Sequence, residues 1–296
     1  MFTSVQDSGD FLRWSTARAR SEQFSNENKV HASKKRCRPE HKLGFSLFPS
    51  EIFYLYRLLR VVSFDRCEVG MLARKRVAEL MDDPSLDADV HQEALGGLEK
   101  LNIISTSADA LWQQLRTIRL VEPTQPLRIL DLACGGGDIA IALVKKAAQE
   151  RPSRLINIDA LDISDTAVEY ATKKARDEQL NSSLRFIQLD VLNDDLNENY
   201  DAGICSLFSH HLDPPEVVSL MRKMRGSAKK MVIVNDLLRN ELSYALVWLG
   251  TRIFSRSAVV HYDGPVSVCA SYTMDEMRSM AKEAGLQNSF VKFHPP

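Results

Sequence analysis

The sequence predicts an α/β fold, a mostly parallel sheet with helices on both faces. Three observations carry this. From residue 127 onward, short apolar runs alternate with helical stretches of about ten to fifteen residues, the pattern of strands joined by right-handed crossovers. "EPTQP" separates that pattern from a purely helical stretch before it. Helix starts and stops are marked, by proline in "PPEVVSL" and by Thr273, Glu276 and Gly285 around the last helix.

The elements follow in order. "LRILDLA" is a first strand and "DIAIALVKKAAQE" a helix. "RLINIDALDIS" is a second strand, and "DTAVEYATKKARDEQL" a helix. "LRFIQLDVL" and "YDAGICSLF" are the third and fourth strands. "PPEVVSLMRKMRGSA" is a helix, and "KKMVIVNDLL" a fifth strand. After an apolar insert, "YTMDEMRSMAKEAGL" is a helix, and "QNSFVKFHPP" leaves room for one more strand. Upstream, Val90, Ala94, Leu95, Leu98 and Leu101, then Leu111, Trp112, Leu115 and Ile118, recur at helical spacing. The organisation read from this is a disordered basic extension over 1–50, a helical segment over 51–121 and a catalytic domain over 122–296. The amphipathic stretch "EIFYLYRLLRVVSF" opens the helical segment.

Composition sets limits. The chain has 296 residues, 44% hydrophobic and 26% charged, with a net charge of −1. No strong field directs it to nucleic acid. The charge is uneven: residues 1–76 carry an excess of 7 positive charges and the remainder an excess of 8 negative ones. The five cysteines are scattered without C-x-x-C, which suits a reducing cytoplasm better than a disulfide framework. Zinc-type cysteine spacing is absent; a metal at the pair His210 and His211 would need a third ligand, such as Asp236 or Asp213, whose geometry nothing in the sequence fixes, and no metal is expected. No apolar run is long enough for a transmembrane segment, and the N-terminus has no signal-peptide core.

"ILDLACGGGDIAIAL" carries the chemistry. Glycines at a strand-to-helix turn let a ligand approach main-chain N–H groups. Gly135-x-Gly137-x-x-Ala140 fits a dinucleotide fingerprint, which would make the protein an NAD(P)-dependent oxidoreductase. Asp131 and Asp138 argue against it, because an anion at a helix start is poorly served by acids. Both acids suit a cationic ligand.

Here the residues resemble the Rossmann-like, class I S-adenosylmethionine-dependent methyltransferases, whose first motif matches Asp131-x-Ala133-x-Gly135-x-Gly137. The resemblance covers roughly residues 76–296. It implies S-adenosyl-L-methionine as cofactor and a doubly wound sheet of order 3-2-1-4-5-7-6, its last hairpin shortened or absent. Asp162 resembles the ribose-binding acid and Asp190 the acid that meets the adenine amino group. Ile163, Val191 and Ser206 complete the cofactor set.

Ligands in open parallel sheets lie outside the carboxyl ends of the strands. "SLFSHHLDPP" puts His210 and His211 on that rim, and Asp236 closes the neighbouring fifth strand. An aspartate that orients an imidazole makes a general base. His210 with Asp236 is therefore the candidate catalytic couple, with His211 second; a positioning role is the competing reading. The insert over about 237–264 reads as a substrate lid, with Trp248, His261 and Tyr262 facing an apolar, hydroxylated small molecule; a buried helix or a homodimer contact is its other reading. The function expected is methyl transfer to a phenolic, quinol or polyketide-like acceptor, with oxygen preferred and C-methylation of a quinone or phenol left open.

Overall fold

The computed structural model describes residues 2–7, 73–83, 85–118, 125–150, 155–196 and 199–294. Most of the basic extension and the stretch "EIFYLYRLLRVVSF" lie outside the described residues.

Seven strands form one sheet: β1 (Phe2–Asp7), β2 (Leu127–Leu132), β3 (Ile156–Asp162), β4 (Leu184–Gln188), β5 (Tyr200–Ser206), β6 (Ala228–Leu237) and β7 (Phe290–His294). Their order is β4-β3-β2-β5-β6-β1-β7. The first five positions reproduce the expected 3-2-1-4-5 arrangement, all parallel. The far edge differs from the expectation. β1 pairs antiparallel with both β6 and β7, Thr3 opposite Asp236 and Thr3 opposite Phe293. The slot next to β6 is therefore filled from the N-terminus, and the shortened C-terminal hairpin is completed by a strand remote in sequence. Residues 2–7 are thus a strand, where the sequence reading placed a disordered extension.

Eight helices are described: α1 (Ala88–Ile104), α2 (Ser107–Leu115), α3 (Asp138–Glu150), α4 (Asp165–Asp177), α5 (Pro214–Ser227), α6 (Glu241–Phe254), α7 (Ala258–Ala270) and α8 (Met274–Glu283). Local chemistry sets their ends. Asp213 and Glu216 close a capping box at α5, and Thr273 and Glu276 another at α8. Gly285, at φ +86, takes the left-handed turn after α8.

The period of two along β2 divides the core. Leu127 and Ile129 pack with α2 and α3 around Leu111, Trp112, Leu115 and Leu143. Leu130 and Leu132 pack on the opposite face with Val217, Leu220 and Met221 of α5 and Met277 of α8. Burying each such side chain contributes about 1.5–3 kcal/mol. Trp112, 1% exposed, also donates its indole N–H to Glu150 at 2.8 Å, so its one polar atom is satisfied. The two faces hold the strands rigid, and the loops at their carboxyl ends carry the polar residues.

The expected lid is a helical pair. α6 and α7 pack on one another, and α7 runs on to Ala270, beyond the predicted limit of the insert.

Candidate active site

The rim is built from successive strand ends. β2 leads into the glycine turn. Ala133 has φ +56, Gly135 +52 and Gly137 +73. A left-handed backbone explains the glycines at 135 and 137, whereas Ala133 adopts it against the steric cost of its Cβ. Gly137 is also short of space, since a Cβ there would stand 2.5 Å from the Phe186 ring.

The turn is tied to the next strand end. Asp162 accepts from Gly135 N at 2.7 Å and from Ser164 N at 3.0 Å, so the acid that resembles a ribose ligand also fixes the loop. Asp131 is 2% exposed, and its Oδ2 has no hydrogen-bond partner. Burial, reinforced by Asp138 and Asp162, pushes its pKa well above the usual carboxylate range. A cationic ligand at the loop would satisfy that oxygen. Asp138 accepts from Asn102 at 2.8 Å, and burial likewise raises its pKa.

Not every expected cofactor residue is free. Asp190 accepts from Leu192 N, Asn193 N and Asn193 Nδ2, so in this structure it caps its own turn, where the resemblance implies an adenine contact. Val191 is buried, Ile163 is 65% exposed on the open side of the rim, and Ser206 Oγ accepts from Asn235 Nδ2 at 3.1 Å.

β5 and β6 lie side by side, with Ser206 opposite Asn235. This brings His210 and Asp236 together. His210 Nδ1 stands 2.7 Å from Asp236 Oδ1, and both residues are almost fully buried. Asp236 also accepts from Ser209 Oγ, His210 N and Leu237 N. A carboxylate held this way fixes the ring that it faces. Leu207, at φ +57, makes the sharp exit from β5 that turns the histidines toward β6.

Sequence reasoning missed the other half of this cluster. Residues 73–83 cross the rim, and Glu79 meets both rings there. Its Oε1 is 3.5 Å from His210 Nε2, and its Oε2 is 3.9 Å from His211 Nε2. Asp82, three residues on, holds His211 Nδ1 at 3.1 Å. Ser267 of α7 donates to Glu79 at 2.6 Å. Asp263, one turn earlier in α7, accepts from Leu80 N and Met81 N. Arg74 locks the crossing segment: it donates to the carbonyls of Ala270, His210 and Leu212 and lies over the Tyr272 ring. The only sequence signal was the i, i+3 pair of acids in "ELMD", which is too common to stand out.

The electrostatics follow from this packing. Burial alone would depress the His210 pKa; Asp236 and then Glu79 outweigh it and hold it up at about 10. Burial likewise works to raise the pKa of Glu79 and of Asp236, but the facing rings keep both below their ordinary values. The predicted lid residues stand apart from this cluster in their recorded contacts. His261 Nε2 bonds Ser255 O at 2.9 Å, and Trp248 carries Arg252 over its ring. Tyr262 is half-buried on α7. α7 reaches the cluster through Asp263 and Ser267 instead.

Residues 129–230 match a family described as a methyltransferase domain. That segment thus carries a methyltransferase domain, which spans strands β2 to β5 of the sheet described above. Its curated relatives are distant. A demethylmenaquinone methyltransferase of Porphyromonas gingivalis is 31% identical over 33% of this chain and 38% of its own length. A ubiquinone biosynthesis O-methyltransferase of Alkalilimnicola ehrlichii is 28% identical over 42% and 47%. A demethylmenaquinone methyltransferase of Thermotoga maritima is 27% identical over 64% and 82%. The chain therefore spans less than half the length of the first two. Among the described residues, no helix is long and apolar enough to cross a membrane.

Proposed function

We propose that the protein transfers the methyl group of S-adenosyl-L-methionine to a hydroxylated small molecule of quinol or phenol type, on oxygen, in the cytoplasm. One observation carries this reading: the buried His210–Asp236 couple stands on the same rim as a glycine turn whose buried Asp131 lacks a partner. The glycine turn and Asp131 suit the cationic donor. The histidine cluster suits the acceptor, whose hydroxyl must lose its proton.

The acceptor O–H bond breaks at the cluster, and the oxygen lone pair attacks the methyl carbon in line. The S–CH3 bond breaks with its electron pair going to sulfur, which leaves a neutral thioether. The protein supplies alignment and proton removal. Asp236 holds the His210 ring through Nδ1 and turns Nε2 to the rim, where it faces Glu79 Oε1 at 3.5 Å. The names of the three relatives support an acceptor of the quinone class, and one of them supports transfer to oxygen. Methylation of an electron-rich ring carbon is the second reading, favoured by the two relatives named for demethylmenaquinone.

Methyl-labelled cofactor incubated with the full chain and a quinol or metabolite extract tests the reading, with mass spectrometry of the labelled product. A labelled methyl ether is expected. Stabilisation by NAD(P) but not by S-adenosylhomocysteine would overturn it.

A further inference from the structure

We infer that Glu79, His210 and His211 form a site for one divalent transition-metal ion of the zinc class. This rests on the reading above and assigns how the acceptor loses its proton. Each residue offers one ligand atom, a Glu79 carboxylate oxygen and one ring nitrogen from each histidine, all within 4.8 Å of one another; Asp236 and Asp82 hold both Nδ1 atoms, which leaves the Nε2 atoms for a metal.

The spacing fits a metal. With bonds of about 2.0–2.1 Å, the ligand atoms of a tetrahedral zinc site stand about 3.3–3.4 Å apart. The Glu79 carboxylate stands 3.5 Å from His210 Nε2 through Oε1 and 3.9 Å from His211 Nε2 through Oε2, so a turn of the carboxylate and a closure of the rings bring one oxygen and two nitrogens to that spacing. Two histidines and one glutamate, with a further position open, are a donor set found in catalytic zinc sites.

The surroundings point the same way. A metal-ligating histidine usually gives its other ring nitrogen to a carboxylate or carbonyl, which fixes the tautomer and aims the free nitrogen. Both rings here are held so. Asp236 takes Nδ1 of His210 at 2.7 Å, and Asp82 takes Nδ1 of His211 at 3.1 Å. The third ligand has an orienting partner too, Ser267 Oγ on Glu79 Oε1 at 2.6 Å. The three partners come from β6, the crossing segment and α7, so the convergence is a product of the fold.

Charge agrees. Three carboxylates, Glu79, Asp82 and Asp236, face two imidazoles whose ring centres are 4.3 Å apart. One shared divalent ion would answer both rings and the Glu79 carboxylate together. The nearest cations serve other atoms: Arg74 and Arg76 bind the carbonyls of His210, Leu212 and His211 and the acids Asp213 and Glu216. His211 retains 22% side-chain exposure, which leaves the cluster open on one side. There the acceptor hydroxyl takes the open position. The metal lowers the pKa of that hydroxyl, its proton passes to solvent, and the metal-held oxygen faces the methyl donor.

The test uses the full chain, stripped with a chelator and titrated with Co2+ and then Zn2+. Visible cobalt absorption reports the ligand field. One cobalt per chain is expected, with the intensified bands of a four- or five-coordinate site, displaced by zinc. Glu79→Gln and His211→Ala should weaken binding by at least about 100-fold, and Asp82→Asn, which removes only an orienting partner, by about 10–100-fold. Melting curves check that each variant folds; His211, the most exposed of the three ligands, is the safeguard. S-adenosylhomocysteine binding is measured on the same samples and should persist in every variant. If the wild type binds no cobalt, or binds it no better than the Glu79 and His211 variants, the metal site is refuted while cofactor binding still stands. If the wild type fails to bind S-adenosylhomocysteine, the methyltransferase reading falls and the cobalt result still judges the site by itself. Activity that survives complete chelation would also overturn it and leave His210 as an ordinary base.

Discussion

Two glycines of one turn should respond differently to the same methyl group. At Gly137 the backbone is left-handed at φ +73, and an added Cβ meets Phe186 at 2.5 and 2.7 Å and Ala171 Cβ at 2.9 Å. The backbone penalty is about 1–2 kcal/mol, and forcing a methyl into a packed core adds about 1–3 kcal/mol. Gly137→Ala should therefore cost about 2–5 kcal/mol, and a domain of this size loses about 2–4 °C of melting temperature per kcal/mol. At Gly135 the backbone is also left-handed, φ +52, but no atom lies within 4 Å of the added Cβ. Only the backbone penalty of about 1–2 kcal/mol applies. Under the proposed function, that open space receives the cofactor. Gly135→Ala should thus melt only a few degrees early while its S-adenosylhomocysteine affinity falls at least about tenfold, equivalent to about 1.4 kcal/mol. Thermal melting and titration calorimetry on both variants read the two effects separately. Wild-type affinity in Gly135→Ala would refute the turn as the cofactor's bed. A Gly137→Ala protein as stable as the wild type would refute the packing argument.

Other perturbations test other parts of the structure. Asp236→Asn removes the charge that faces buried His210; it should cost about 3–5 kcal/mol by denaturant unfolding and abolish most methyl transfer while cofactor binding persists. Arg74→Ala frees the segment that carries Glu79, and faster hydrogen exchange over 75–83 with slower turnover at unchanged cofactor affinity is expected. Tyr200 gives an alkaline signature. Burial, then its hydrogen bond to Asp159 at 2.7 Å, pushes its pKa up to about 12 from an ordinary 10. A raised pKa in the folded state means the contribution is complete below pH 10 and is lost as pH rises through 12. Melting temperature should therefore fall more steeply with pH above 10 in the wild type than in Tyr200→Phe, and equal slopes would remove Tyr200 as the cause.

What the sequence disclosed depended on the range of the interaction. The parallel strands and helices between 127 and 286 obey local rules. Apolar periodicity, the Thr273–Glu276 box and Gly285 are each settled within a few residues, and the structure agrees with them. The first-motif glycines were legible for the same reason, since left-handed turns have few suitable residues. β1 was not. "FTSVQD" has no strong apolar alternation, and its partners β6 and β7 lie more than two hundred residues away, so only tertiary pairing selects it. The cap at Asp190 was not read from the sequence, although aspartate side chains often accept from the backbone two residues on. The active cluster shows the same division. His210 and Asp236 were found because one follows and the other closes an apolar strand, and the topology makes those strands neighbours. Glu79 was missed because it is carried on a segment with no apolar pattern, held in place by Arg74, Asp263 and Ser267. Its discovery changes the chemistry expected at the rim. With Asp236 alone the histidine reads as a base, whereas Glu79 faces both rings, and on that the proposed cation site rests.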